Sequence, residues 1–167
     1  MGMTSSQQTT STPPVRILEG QAASDRAARA LASYFAELDR RLEGGFDPKL
    51  TEQVDPADVT PPKGDFLLLT ELASGTVLGC GGVRVLPSGD VELRRMWLAA
   101  DARGKGLGRF LLRALENRAR ALGGRRVVLS VNESLTEAIS LYESAGYTPT
   151  EAFEDNPYVT VFLGKTL

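Results

Sequence analysis

The stretch Arg103-Gly104-Lys105-Gly106-Leu107-Gly108 joins two elements that can be read from their apolar spacing. Before it, Asp90-Val-Glu-Leu-Arg-Arg-Met-Trp-Leu98 ends in a strand-like apolar run. After it, Leu107, Phe110, Leu111, Ala114, Leu115, Arg118 and Leu122 recur at helical spacing. The reading is strand, glycine-rich turn, helix. Such a turn aims free backbone N–H groups and the positive end of a helix dipole at one point, which makes an anion site. Glycine lets the main chain approach a phosphate with no side chain in the way. Lys105 and Arg109 add positive charge beside it. The turn is not a Walker loop, because no Gly-Lys-Ser/Thr follows the required spacer. It is not a dinucleotide fingerprint either, since its glycines stand at 104, 106 and 108.

Working upstream, the spacing predicts strands over 65–72, 76–86 and 90–98, separated by Ala73-Ser74-Gly75 and Pro87-Ser88-Gly89, an antiparallel meander. Before them, residues 46–63 with four prolines read as a long loop. An Ala-rich amphipathic helix is expected over 25–42, capped by Ser24 and stopped by Gly44-Gly45, after a short strand at 15–18. Downstream, the helix from 107 runs to about Leu122. Residues 127–131 form a buried strand, Ser134 caps a helix ending near Ala145, and 147–150 with 158–163 close a hairpin. A meander followed by β-α-β gives a mixed α/β sheet. Residues 1–14, rich in Ser, Thr, Gln and Pro, read as a disordered tail, and 15–167 as one domain.

Composition narrows the function. With 19 basic against 21 acidic residues, the net charge of −2 argues against a nucleic-acid binder. A local basic cluster at Arg94, Arg95, Arg103, Lys105 and Arg109 suits the phosphates of one cofactor better than a duplex. The chain has no histidine and one cysteine. That excludes histidine-based catalytic triads and His- or Cys-rich metal sites, so no metal is expected. Reduced thiol chemistry and the lack of a membrane-length apolar run point to a cytoplasmic protein without a membrane partner. Nothing in the sequence opposes a homodimer. Cys80, within Gly79-Cys-Gly-Gly82, reads as a small buried residue rather than a nucleophile.

Arg103-x-x-Gly106-x-Gly108 after an apolar strand resembles the acetyl-CoA signature of the GNAT superfamily of N-acetyltransferases. Glu92-Leu-Arg-Arg-Met-Trp-Leu98 is similar to that family's fourth strand, and Ala138-Ile-Ser-Leu-Tyr-Glu-Ser-Ala-Gly-Tyr147 to its later helical segment. The resemblance covers roughly residues 65–167 and implies a mixed, mostly antiparallel sheet with flanking helices, splayed between its fourth and fifth strands with acetyl-CoA in the split. It implies that the main chain of Arg103, Gly104, Lys105, Gly106, Leu107, Gly108 and Arg109 binds the pyrophosphate. The pantetheine arm would pair with Met96, Trp97 and Leu98, one of whose N–H groups faces the oxyanion. By the same resemblance Tyr142 is the candidate general acid toward the departing thiolate, and Glu92 the candidate base, directly or through a water. Asn132 is a candidate partner of the arm; relatives often carry an Asn at the position held here by Leu135. The expected activity is transfer of an acetyl group to a primary amine of a small molecule. A protein or peptide acceptor, or an acyl-CoA sensor without turnover, are the alternatives.

Overall fold

A computed structural model of the chain describes residues 12–167. Residues 1–11, most of the expected tail, lie outside the described residues. Seven strands run β1 Val15–Leu18, β2 Gly64–Glu71, β3 Val77–Val85, β4 Val91–Leu98, β5 Arg126–Val131, β6 Thr148–Pro149 and β7 Val161–Thr166. Three helices, α1 Asp25–Arg41, α2 Leu107–Ala121 and α3 Thr136–Ser144, lie between them. The sheet order is β1-β2-β3-β4-β5-β7-β6, antiparallel throughout except for the β4–β5 pair. This is the mixed, mostly antiparallel sheet that the sequence implied.

Side-chain alternation makes the layers. Phe66, Leu68 and Cys80 meet Ala27 and Ala30 of α1, while Leu67, Leu69 and Val83 share a larger core with Leu111 and Leu115 of α2. With apolar residues on both faces, Leu67, Leu68 and Leu69 are all fully buried. The glycines of β3 serve this packing. A Cβ on Gly81 would stand 2.6 Å from Leu115 Cδ1, and one on Gly79 would stand 2.6 Å from the Trp97 carbonyl. Close approach of neighbours, not of a ligand, therefore explains them.

Local signals set most element ends. Ser24 Oγ accepts from Ala27 N–H at 3.0 Å and caps α1. The loop after α1 contains two single-turn 3-10 helices, Pro48–Leu50 and Pro56–Val59, each started by an Asp whose carboxylate accepts a main-chain N–H. Three expectations are corrected. Ser134 does not cap α3: the Ncap is Leu135, with no side-chain bond, and Ser134 Oγ donates to Asn132 Oδ1 at 2.6 Å instead. β7 begins at Val161, not 158, because Asn132 and Asn156 hold Tyr158 off the sheet, at 2.7 and 2.9 Å. Phe110 leaves the apolar stripe of α2 and is 45% exposed, while Leu112, Glu116 and Ala119 face inward. Glu116 tolerates that position because Lys165 Nζ lies 2.8 Å away and Tyr147 donates to it at 3.1 Å.

Candidate active site

β4 and β5 pair at only two positions, Val91↔Val127 and Glu92↔Val128. Beyond them β4 stays with β3 and β5 stays with β7, so the strands part. A bulge sharpens the divergence. Cys80 faces Trp97 and Gly82 faces Arg94, which leaves Gly81 alone opposite Arg95 and Met96. Arg95 takes φ 51°, the left-handed region, where a non-glycine residue costs about 1–3 kcal/mol. The split opens into a cleft of about 500 Å³. All the residues expected at the site line it except Lys105, which is exposed outside it, and Leu107, which is buried in the core beneath.

One end of the cleft is an anion cradle. Gly104 and Gly106 have φ of 76° and 77°, and a Cβ on either would meet nothing within 4 Å. Gly106 is the N-cap of α2 and offers no side chain to its first N–H groups. The first helical bond there is from Phe110 N–H to the Gly106 carbonyl. Among the described residues, the N–H groups of Gly104 through Arg109 find no acceptor in the protein. Six neighbouring donors at a helix N-terminus, with open space before them, suit a diphosphate. The side chains nearby are otherwise engaged. Arg103 donates from Nε to the Leu98 carbonyl at 3.0 Å and from Nη2 to Glu37 at 2.6 Å, tying α1 to the end of β4. Arg109 donates to Ser144 Oγ at 2.7 Å, linking α2 to α3.

Midway, Tyr142 of α3 is 6% exposed and packs edge-on against Tyr147, with ring centres 5.8 Å apart. Its hydroxyl has no hydrogen-bond partner among the described residues. Burial pushes its pKa well above the ordinary phenol value, so the proton stays on. Asn132 ends β5, and its amide is used within the protein. Nδ2 donates to the Tyr158 carbonyl, and Oδ1 accepts from Ser134 N–H at 2.9 Å. These bonds fix it in the wall of the cleft, and among the described residues one of its two Nδ2 hydrogens has no acceptor.

The other end is polar beneath and aromatic above. Glu92 is 3% exposed. Its Oε2 accepts from Arg84 at 2.8 Å and its Oε1 from Arg94 at 2.9 Å. Arg84 also forks onto Glu52 of the loop, at 3.1 and 2.9 Å. Burial raises the Glu92 pKa, and the two arginines offset that only in part. Glu154 accepts from Ser130 Oγ. Tyr34, Phe35, Phe46 and Tyr158 form a run of rings with centres 5.9, 5.5 and 4.7 Å apart. Tyr158 OH accepts from Asp47 N–H at 2.9 Å, so the loop after α1 is pinned to the C-terminal segment. The cluster that suited cofactor phosphates in the sequence is thus divided: Arg94 and Arg95 belong to this end. The aromatic run, Arg84 and Glu154 were not singled out from sequence as parts of one site. They come from four separate segments with no shared motif. Cys80 is buried on β3, its thiol pushed up to about 12 by burial, which removes it as a nucleophile. Among the described residues no His/Cys/Asp/Glu group could hold a metal ion, and no helix is long and apolar enough to cross a membrane.

This split sheet with a glycine-turn cradle is an acyltransferase architecture. The acetyltransferase (GNAT) family profile matches residues 29–147, and the chain belongs to that family. The IAA acetyltransferase of Azospirillum brasilense is 31% identical over 143 residues, covering 83% of this chain and 91% of that protein. Among solved structures, a Klebsiella pneumoniae protein assigned as an acyl-CoA N-acyltransferase superposes with a TM-score of 0.73 at 25% identity, covering 92% of this chain and 97% of that one. The yncA protein of Salmonella typhimurium, solved with its cofactor acetyl-CoA, shares the fold at 22% identity and a TM-score of 0.64, over 92% and 94% of the two chains. The family uses acetyl-CoA as cosubstrate.

Proposed function

We propose that this chain transfers the acetyl group of acetyl-CoA to a primary amine of a small molecule, by direct attack within a ternary complex. The observation that carries this reading is the joining, in one cleft, of the six-donor cradle to an end bounded by the pinned loop and the aromatic run. A protein or peptide acceptor would lie along an extended groove, whereas walls from α1, the loop and the C-terminal segment suit a compact amine.

The residues take these roles. The main chain of Gly104 through Arg109 holds the pyrophosphate, with Lys105 adding charge. The Arg103 side chain fixes the cradle to β4 through the Leu98 carbonyl. Having lost β5, the main chain of Met96, Trp97 and Leu98 pairs with the pantetheine arm, and an N–H there stabilises negative charge on the acyl oxygen. Acetyl-CoA supplies the activated acyl group and a thiolate leaving group. Tyr142, held protonated by burial, donates toward the sulfur. Glu92 takes the amine proton, directly or through a water, on the lone pairs its arginines leave free; burial lifts its affinity for that proton. The test is an amine panel with acetyl-CoA, reading free thiol. Small primary amines should release thiol, and lysine- or N-terminus-bearing peptides should not. Tight acetyl-CoA binding with no release from any amine would leave a sensor.

A further inference from the structure

Charge at the acceptor end of the cleft does not balance locally by pairing. Glu52, Arg84, Glu92 and Arg94 form a network of two cations and two anions that neutralises itself. Arg95 stands apart from it. Among the described residues its guanidinium has no carboxylate within ion-pair distance and donates no hydrogen bond, although it lines the cleft. Glu154 also lines the cleft, held by Ser130 Oγ and by no cation among the described residues. Among the described residues, this end of the cleft therefore offers one cation and one anion without an ionic partner.

The position of Arg95 is built. The bulge and the left-handed backbone re-aim its side chain, which lies across the face of Phe35 with Cζ 4.7 Å from the ring centre. Stacking holds the plane and leaves the edge N–H groups of the fork available. Burial and the neighbouring Arg94 both oppose its charge, and an anion placed there would offset both by direct attraction. The cradle does not supply that anion. Arg95 lies beside the aromatic run, while the cradle is at the far side of Leu98, where Arg103 and Glu37 already meet.

We propose that the acceptor is an amino-acid-like molecule whose carboxylate is held by Arg95, whose amine lies toward Glu92 and Glu154, and whose apolar or aromatic side chain lies against Phe35, Phe46 and Tyr158. This deepens, and rests on, the small-amine reading. A bidentate carboxylate on a half-buried guanidinium corresponds to about ten- to a hundredfold in affinity.

Recognition and turnover can be tested separately. Calorimetry with CoA present compares N-acetyl-L-phenylalanine with N-acetylphenethylamine, which differ only in the carboxylate. The wild type should bind the first at least tenfold more tightly. In Arg95→Gln and Arg95→Met, checked for folding by thermal melt, the gap should collapse to within about twofold. Equal affinities in the wild type, or a gap that survives both substitutions, overturns the proposal; the wild-type comparison decides alone if neither variant folds. Thiol release from L-phenylalanine and phenethylamine then separates the two claims. A carboxylate preference in binding without thiol release sinks acetyl transfer and leaves this recognition standing. Equal release from both amines sinks the recognition and leaves acetyl transfer.

Discussion

At Val91 and Glu92, β4 is hydrogen-bonded on both sides; from Leu93 to Leu98 it has β3 and no longer β5. The same strand changes character at that point. Val91, Glu92 and Leu93 are buried, while Arg94 through Leu98 are half-buried. At the closed end, Val91 and Val127 are fully buried, with Ala119 of α2 fully buried in the same core. At the open end, polar main chain, a strained arginine and an uncapped helix terminus face a cleft. The difference teaches where each kind of residue is spent. A continuous ladder uses main-chain groups on each other, and stability follows. A parted ladder leaves them for a ligand, and the fold tolerates this only because the closed end holds the strands together. Substitutions on opposite sides of Leu93 should therefore separate stability from chemistry.

The largest effect should come from the cradle. Gly106→Glu puts bulk and negative charge where a diphosphate belongs, at a φ of 77° that a side chain adopts at a cost of roughly 1–2 kcal/mol. Acetyl-CoA affinity should fall by about a thousandfold or more, while the melting temperature falls only a few degrees. Calorimetry on a folded variant checks this, and unchanged affinity moves the cofactor elsewhere. The mirror experiment is Val127→Ala at the closed end. Val127 is fully buried, so its truncation should destabilise by about 1–3 kcal/mol in urea titration. Acetyl-CoA affinity should stay within about threefold. A large loss of affinity here would show that the two ends are coupled.

The two ends were not equally legible in the sequence. The cradle was readable because three glycines and a helix period sit within a few consecutive residues. Both requirements, positive φ and free N–H groups, are local. The meander was readable for a similar reason, through short apolar runs separated by Ala73-Ser74-Gly75 and Pro87-Ser88-Gly89. The acceptor end was not. Its aromatic run draws on α1, the proline-rich loop and the segment before β7, and nothing local marks Phe46 and Tyr158 as neighbours. The left-handed backbone of Arg95 has no residue signature, since glycine would be the usual occupant. Glu92 was read as a candidate base, through the resemblance; the structure gives it Arg94, two residues along the same strand, as one partner. Arg84 became its second partner only through the β3–β4 register, where the two residues face each other. Phe110 was misassigned because the period of α2 fits two faces, and only the buried Glu116–Lys165 pair shows which one is inward.

Between those two in size stands the acid. Tyr142→Phe keeps the ring, its packing on Tyr147 and the wall of the cleft, and removes one hydroxyl. With an accepted amine, kcat should fall about ten- to a thousandfold, with acetyl-CoA affinity nearly unchanged. Among the described residues the hydroxyl has no hydrogen-bond partner, so the fold should not lose stability on its removal. Wild-type kcat in this variant would assign Tyr142 to packing alone.

The smallest and most conditional effect is expected at the junction itself, where Glu92 belongs to both ends. Its carboxylate is buried with the closed end and charged for the open one. If it accepts the amine proton, activity needs it deprotonated. Because burial raises its pKa from the ordinary glutamate value, wild-type kcat/KM should fall as pH drops through that raised pKa, on top of the loss of free amine. Glu92→Gln removes that limb. The variant should be depressed most at low pH, by roughly tenfold or more, and approach the wild type at high pH, where the amine arrives already deprotonated. Gln also deprives Arg84 and Arg94 of an anion, so a loss of about 1–3 kcal/mol in stability is expected whatever the mechanism. The pH profile is the readout that the structural effect cannot mimic. If the variant retains the wild-type profile, shifted only in height, Glu92 serves to position Arg84 and Arg94. Proton removal then passes to another acceptor in the cleft, with Glu154 the carboxylate next in place.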